Sequence, residues 1–165
     1  ARRHARQTWI ATADLRDFFE STRAARVRAF FVKHGWRDEA LRVLMWLCLF
    51  RDCLPQGAPT SPCLSNLVNW PLDDKLWRLA ERAGAIYTRY GDDLTFSWNS
   101  DKSPDGFKHA VADRLHGAGY GVHPCKGWRV RHISQRPTVN GLVLTGKGAK
   151  TKADVASVPL AIAAE

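Results

Sequence analysis

Apolar and polar positions alternate with a period of two on both sides of an acidic pair in the stretch IYTRYGDDLTFSW. Ile86, Thr88 and Tyr90 share one side of the first arm, and Leu94, Phe96 and Trp98 share one side of the second. That is the period of strands, so the two arms predict a β-hairpin that turns at Gly91, Asp92 and Asp93. Gly and Asp are good turn residues in their own right because they tolerate positive φ. On this stretch alone, turn chemistry accounts for the acids, and any further role needs support from the rest of the chain.

Elsewhere the pattern is mixed. TWIATAD, residues 8–14, reads as a short buried strand ending on an acid. A helix follows, capped by Ser21 or Thr22, with Val27, Phe30 and Phe31 as its apolar stripe and Gly35 as its stop. A second helix, from residue 38 to about 50, is apolar almost all round (LRVLMWLCLF) and is expected to be deeply buried. The Pro- and Gly-rich loop RDCLPQGAPTSP comes next. Ser61 and Pro62 start a helix through CLSNLVNW, Pro71 resets or kinks it, and LDDKLWRLAERAG runs to a stop at Gly84. Beyond the hairpin, Ser103 with Pro104 begins a helix to about His116. GWRVRHIS and PTVNGLVL alternate like two more strands. The order predicts an α+β domain over residues 1–150, an antiparallel sheet with helices packed on one face, followed by a tail at 151–165 that starts a further segment.

Composition narrows the partner. The chain has 165 residues, 45% of them hydrophobic, enough for one sizeable core. Lys and Arg number 25 against 16 Asp and Glu, a net charge of +9, which favours a polyanion, with nucleic acid first. Arg and aromatic residues interleave in KGWRVRH, and Arg clusters in ARRHAR. Cys48, Cys53, Cys63 and Cys125 form no C-x-x-C pair and have no partner pair at zinc-site spacing, so they read as reduced, buried thiols of a cytoplasmic protein. No apolar run reaches the ~18 residues of a membrane span, and no secretory leader is visible. The first residue is Ala, not Met, which suggests a fragment or processed chain.

Three stretches, in order, carry a resemblance. ATADLRDFFES, LPQGAPTSPCLSNLV and YTRYGDDLTFS resemble the palm motifs of reverse transcriptases, those of the bacterial retron type most closely and group II intron enzymes next. The resemblance extends from residue 8 to about 145 and implies a polymerase palm with partial fingers, acting as an RNA-directed DNA polymerase. The chemistry agrees with the residues. Joining a 3′-hydroxyl to an α-phosphate uses two divalent ions about 3.5 to 4 Å apart, and Mg²⁺ asks for hard oxygen ligands brought together from separate strands. Asp14 and Asp92 suit this if their strands are neighbours. Because adjacent strand residues face opposite sides, Asp92 is the main second ligand and Asp93 is peripheral or bound to one ion.

The resemblance also implies that the Leu15 carbonyl completes a site for two Mg²⁺ ions, with Mn²⁺ as a substitute. The amides from Asp17 through Phe18 to Phe19 would face the triphosphate. Phe19 would exclude a 2′-hydroxyl, while Phe18 is better suited to core packing. Gln56 and Gly57 match a nucleotide-binding loop. GYGVHPCKGW resembles the next motif, whose lysine, here Lys126, protonates departing pyrophosphate; a phosphate contact or a solvated lysine is the other reading. His123 stands where Asn is common and Gly127 where a hydroxyl residue is usual. Tyr90 and Gly91 would touch the primer end, as would the TVNGLVL hairpin through Asn140, Gly141 and Leu142. Partners implied are an RNA template, a DNA or RNA primer, dNTPs and a cognate structured non-coding RNA, without a membrane, in a setting of phage defence or of mobility. RNA-dependent RNA polymerases share Gly-Asp-Asp, but they carry a polar residue where Phe19 stands and lack LPQGAPTSP. A non-catalytic nucleic-acid-binding descendant would be expected to have lost its acids, and all three are present.

Overall fold

The computed structural model describes residues 1–100 and 106–151. The expected Ser103–Pro104 cap and residues 152–165 of the tail lie outside the described residues. In chain order the elements are β1 (Trp9–Asp14), α1 (Phe18–Ser21), α2 (Ala24–Lys33), α3 (Asp38–Cys48), α4 (Ser61–Arg82), β2 (Ile86–Tyr90), β3 (Asp93–Trp98), α5 (Phe107–Gly117), β4 (Arg129–His132), β5 (Thr138–Val139), β6 (Leu142–Leu144) and β7 (Ala149–Lys150). β2, β3, β1 and β4 form one sheet in that order, every neighbouring pair antiparallel. The α+β architecture is the one the alternation predicted.

The two sheet faces differ, as period-two alternation requires. Ala11, Ala13, Tyr87, Leu94, Phe96 and Trp98 point to one side and form the main core with Leu72, Leu76 and Ala80 of α4 and Phe107, Val111 and Leu115 of α5. On the other side Ile10 packs with Ala5, Val139 and Leu144, so the small β5–β6–β7 sheet covers only the start of β1. The Asp14 end of that face stays open. A second core, of Val27, Phe31, Leu41, Leu54, Leu64 and Val68, joins α2, α3 and the first half of α4.

Five expectations need correction. Neither Ser21 nor Thr22 caps α2: its N-cap is Arg23, with no side-chain cap bond, and Thr22 Oγ1 donates instead to Phe18 O at 2.9 Å. α4 runs unbroken through Pro71. Its buried stripe of Leu64, Val68, Leu72, Leu76 and Ala80 is continuous, and Pro71 sits on the exposed side, where water can satisfy the carbonyl left without a donor. α3 is not deeply buried: Leu41 is its one fully buried residue, while Val43, Trp46, Leu47 and the following Phe50 are exposed. Its contacts come from one side only, through Leu41, Leu44, Met45 and Cys48. The cysteines are free as expected, but Cys63 and Cys125 are exposed and the other two half-buried. PTVNGLVL is not one strand, because Asn140 (φ 50°) and Gly141 (φ 77°) make a two-residue turn between β5 and β6.

His4 is fully buried on the second face, its Nδ1 2.7 Å from Ser97 Oγ and its Nε2 2.8 Å from Thr88 Oγ1. Burial, reinforced by the N-terminal charge and Arg3, pushes its pKa from the ordinary 6.5 down to about 4. The folded state therefore holds neutral imidazole while the unfolded chain protonates first. The stabilisation is complete above pH 6.5 and is lost as pH falls from 6.5 toward 4. Melting curves across that window should show a falling Tm, and His4→Gln should flatten the dependence.

Candidate active site

Strand register brings the acids together. β1 and β3 pair so that Asp14 lies directly opposite Asp93, and Thr12 opposite Thr95. Opposed residues project to the same face, here the open one. Gly91 and Asp92 form a two-residue turn between the paired Tyr90 and Asp93, with Gly91 at φ 60°. The Asp92 carbonyl accepts the Leu15 N–H at 2.9 Å, which clips the turn to the residue after Asp14. Asp14 is half-buried, and Asp92 and Asp93 are exposed. Partial burial raises the Asp93 pKa first, the charges of Asp92 and Asp14 raise it further, and Lys126 opposes them.

Residues 121–126 close over the end of β1. Arg16 N–H donates to Gly121 O at 2.8 Å and His123 N–H to Asp14 O at 2.7 Å, around a bridge between Leu15 and Val122. These bonds bring Lys126 Nζ to 3.6 Å from Asp14 Oδ1. His123 Nδ1 accepts the backbone N–H groups of both Cys125 and Lys126 at 3.1 Å. An Asn carboxamide could accept in the same way, so the His departs from the motif in type and keeps the turn-capping role. A Cβ at Gly127 would lie 3.2 Å from the His123 carbonyl oxygen, a tight approach that favours glycine there.

Asp14, Asp92 and Asp93 supply hard oxygen donors of the kind Mg²⁺ selects. Leu15 is tied to the turn through its N–H, and the flanking Asp14 C=O and Arg16 N–H are both engaged. Like charges raising the Asp93 pKa are what a divalent cation would relieve, so the donor set fits such an ion. Among the described residues, no three His, Cys, Asp or Glu side chains are already drawn in to metal-ligand spacing.

The residues expected at the nucleotide lie in and before α1 and in the loop before α4. Phe18 is buried in the main core, its ring centroid 5.3 Å from that of Tyr120. Phe19 is half-buried and touches both cores. Asp17, at φ 45°, precedes a helix of four residues, too short for a substantial dipole, so anion binding there would depend on individual amides. Gln56 and Gly57 are exposed in a loop pinned to the chain after α1 by Ala24 N–H to Asp52 O (2.9 Å) and Leu54 N–H to Thr22 O (3.2 Å). Ser61 Oγ closes the loop on Pro55 O at 2.6 Å.

Of the residues expected at the primer end, Tyr90 is 71% exposed beside the turn. Asn140 and Gly141 are exposed and Leu142 is half-buried. Their hairpin shares the open face but packs at Ile10, roughly 13 Å along β1 from Asp14 at ~3.3 Å per residue.

Two polar clusters escaped the sequence reading. Tyr120 OH joins Thr22 Oγ1 (2.7 Å) to Asn69 Oδ1 (2.9 Å), and Arg26 donates to the same Asn69 oxygen (3.0 Å) and to Ala118 O. Arg89 and Tyr87 of β2 both bond Asp73 of α4. Single polar residues in helical or strand patterns carry no signal for such pairings; Tyr, Asn and Arg on otherwise buried stripes are the faint trace.

Comparison with known proteins identifies relatives of one kind. No family model matches the chain. It is 35% identical to the retron Mx162 reverse transcriptase of Myxococcus xanthus over 167 aligned positions, covering 84% of this chain and 34% of the relative. It is 42% identical to the retron Ec86 reverse transcriptase of Escherichia coli over 99 positions, 60% of this chain and 31% of the relative. The retron Mx65 reverse transcriptase of Myxococcus xanthus gives 33% over 138 positions, 73% and 32% respectively. The chain is homologous to the retron reverse transcriptases. It spans about a third of the length of these relatives.

In this retron reverse-transcriptase-type domain, the acids repel one another without a counter-ion. Mg²⁺ or Mn²⁺ should therefore raise the Tm, by more as pH rises through the carboxylate range and Asp93 ionises. Asp14→Asn should abolish most of that increment. An increment unchanged by the substitution would place the ion elsewhere.

Proposed function

We propose that this domain is the palm portion of an RNA-directed DNA polymerase that adds dNTPs to a primer 3′-hydroxyl on an RNA template. The observation that supports it most is the register: Asp14 opposite Asp93 on an open sheet face, with Asp92 in a turn clipped to Leu15. Asp14, Asp92, Asp93 and the Leu15 carbonyl would hold two Mg²⁺ ions, for which Mn²⁺ can substitute. When bound, such ions lower the pKa of the attacking hydroxyl and neutralise charge on the leaving group. In the motif reading Asp92 is the principal second ligand and Asp93 the lesser one.

The chain's own groups do the rest. Lys126 Nζ, beside Asp14, holds a proton at the edge of the carboxylate cluster for departing pyrophosphate. The partly exposed Phe19 ring limits space at the sugar, and Gln56 and Gly57 border the nucleotide. Tyr90 and Gly91, together with Asn140, Gly141 and Leu142, line the primer's path on the open face. The +9 charge suits RNA template, primer and a cognate structured non-coding RNA. No helix of the described residues is long and apolar enough to cross a membrane, and we place the enzyme in the bacterial cytoplasm.

Primer extension by the full-length enzyme tests this reading. Asp92→Asn should abolish extension on an RNA template with template binding retained, and Asp93→Asn should cost less. Phe19→Val should raise ribonucleotide use relative to deoxynucleotide use. Phe18→Ala should leave that ratio unchanged and cost roughly 3 to 5 kcal/mol of stability as a core cavity. Full extension by Asp92→Asn would refute the assignment of the acids.

A further inference from the structure

Arg89 lies on the helix-facing side of β2, its side chain 5% exposed. Its guanidinium grips Asp73 of α4 in a fork, Nη2 to Oδ2 at 2.6 Å and Nε to Oδ1 at 2.8 Å. The remaining nitrogen, Nη1, donates to the Gly91 carbonyl at 3.1 Å. Tyr87 OH donates to Asp73 Oδ1 at 2.8 Å, and the guanidinium carbon sits 5.4 Å from the Phe18 ring centroid.

A largely buried ion pair is a poor way to gain stability, since desolvation offsets most of the attraction and apolar replacements often serve as well. What an apolar pair could not do is hold the turn. Gly91 has no Cβ to restrict it and sits at φ 60°. The turn's two carbonyls are both held from outside the hairpin ladder, that of Gly91 by Arg89 and that of Asp92 by the Leu15 N–H. The first of these anchors reaches back through Asp73 into α4, whose first turn follows the Gln56 loop.

Resting on the polymerase reading above, we propose that Arg89 is a positioning residue, held by Asp73, that fixes the Gly91–Asp92 turn so that the Asp92 and Asp93 carboxylates meet Asp14 in ion-binding geometry. It touches neither substrate nor ion and acts through the turn.

The test uses the full-length enzyme with two variants. The double variant Asp73→Leu with Arg89→Met replaces the ion pair with apolar groups and removes the tether. Arg89→Lys keeps the charge opposite Asp73, but its single ammonium cannot serve both Asp73 oxygens and the Gly91 carbonyl together. For both we expect kcat ~10-fold or more lower and a several-fold higher Mg²⁺ concentration for half-maximal rate. dNTP KM and primer-template binding should stay within about twofold, with melting temperatures near wild type. Mn²⁺ binding, followed by electron paramagnetic resonance without substrate, should weaken in parallel. Should the double variant fail to fold, Arg89→Lys decides. Wild-type kcat and Mn²⁺ affinity in a folded variant would overturn the proposal. Absence of extension by the wild-type enzyme would instead refute the polymerase reading, and Mn²⁺ binding would still decide the role of Arg89.

Discussion

Two aspartates directly opposite each other on neighbouring strands repel, and a hairpin free to choose its register would avoid placing them there. In this chain the register is set by the other face of the sheet. Ala13 opposite Leu94, Ala11 opposite Phe96 and Trp9 opposite Trp98 direct their side chains toward α4 and α5, where most of them are fully buried. A slip of one residue would turn Leu94, Phe96 and Trp98 out to solvent. Apolar packing on one side thus holds Asp14 against Asp93 on the other. The repulsion is tolerable because the site is open to water and lies beside Lys126.

The surrounding elements extend this constraint. Residues 121–126 bond the Asp14 C=O and the Arg16 N–H along one edge at the end of β1 and bring Lys126 to Asp14 in the same step. The unbroken stripe of α4 supports the sheet at its C-terminal half and the second core at its N-terminal half, so one helix links the loop of Gln56 and Gly57 to the sheet that carries the acids. The Thr22–Tyr120–Asn69–Arg26 network ties α2 to α4 and to the turn after α5. The segments around Phe19 and Gln56 and those carrying the acids are therefore held by shared elements, with the β5–β6 hairpin resting separately on Ile10.

Much of this was legible in the chain because period-two alternation and turn chemistry are local. β1 and the β2–β3 hairpin each follow from a few adjacent residues, whereas alternation alone passed over the Asn140–Gly141 turn. The motif spacings assigned candidate acids before any pairing was known. The helices were read less well where tertiary packing decides. An apolar sequence in α3 implied two-sided cover, yet its packing is one-sided, and Pro71 implied a break, yet its exposed position lets α4 continue. The opposition of Asp14 to Asp93, and the Asp73–Arg89 fork, depend on pairing between segments far apart in sequence. No local pattern encodes them.

The most direct measurement of the central claim is an NMR titration of the Asp93 carboxyl carbon in this chain. Asp93 should titrate above the ordinary aspartate value, fall toward it in Asp14→Asn, and fall again when Mg²⁺ is added to the wild type. An Asp93 that titrates at the ordinary value, unmoved by Asp14→Asn and by Mg²⁺, would contradict the account.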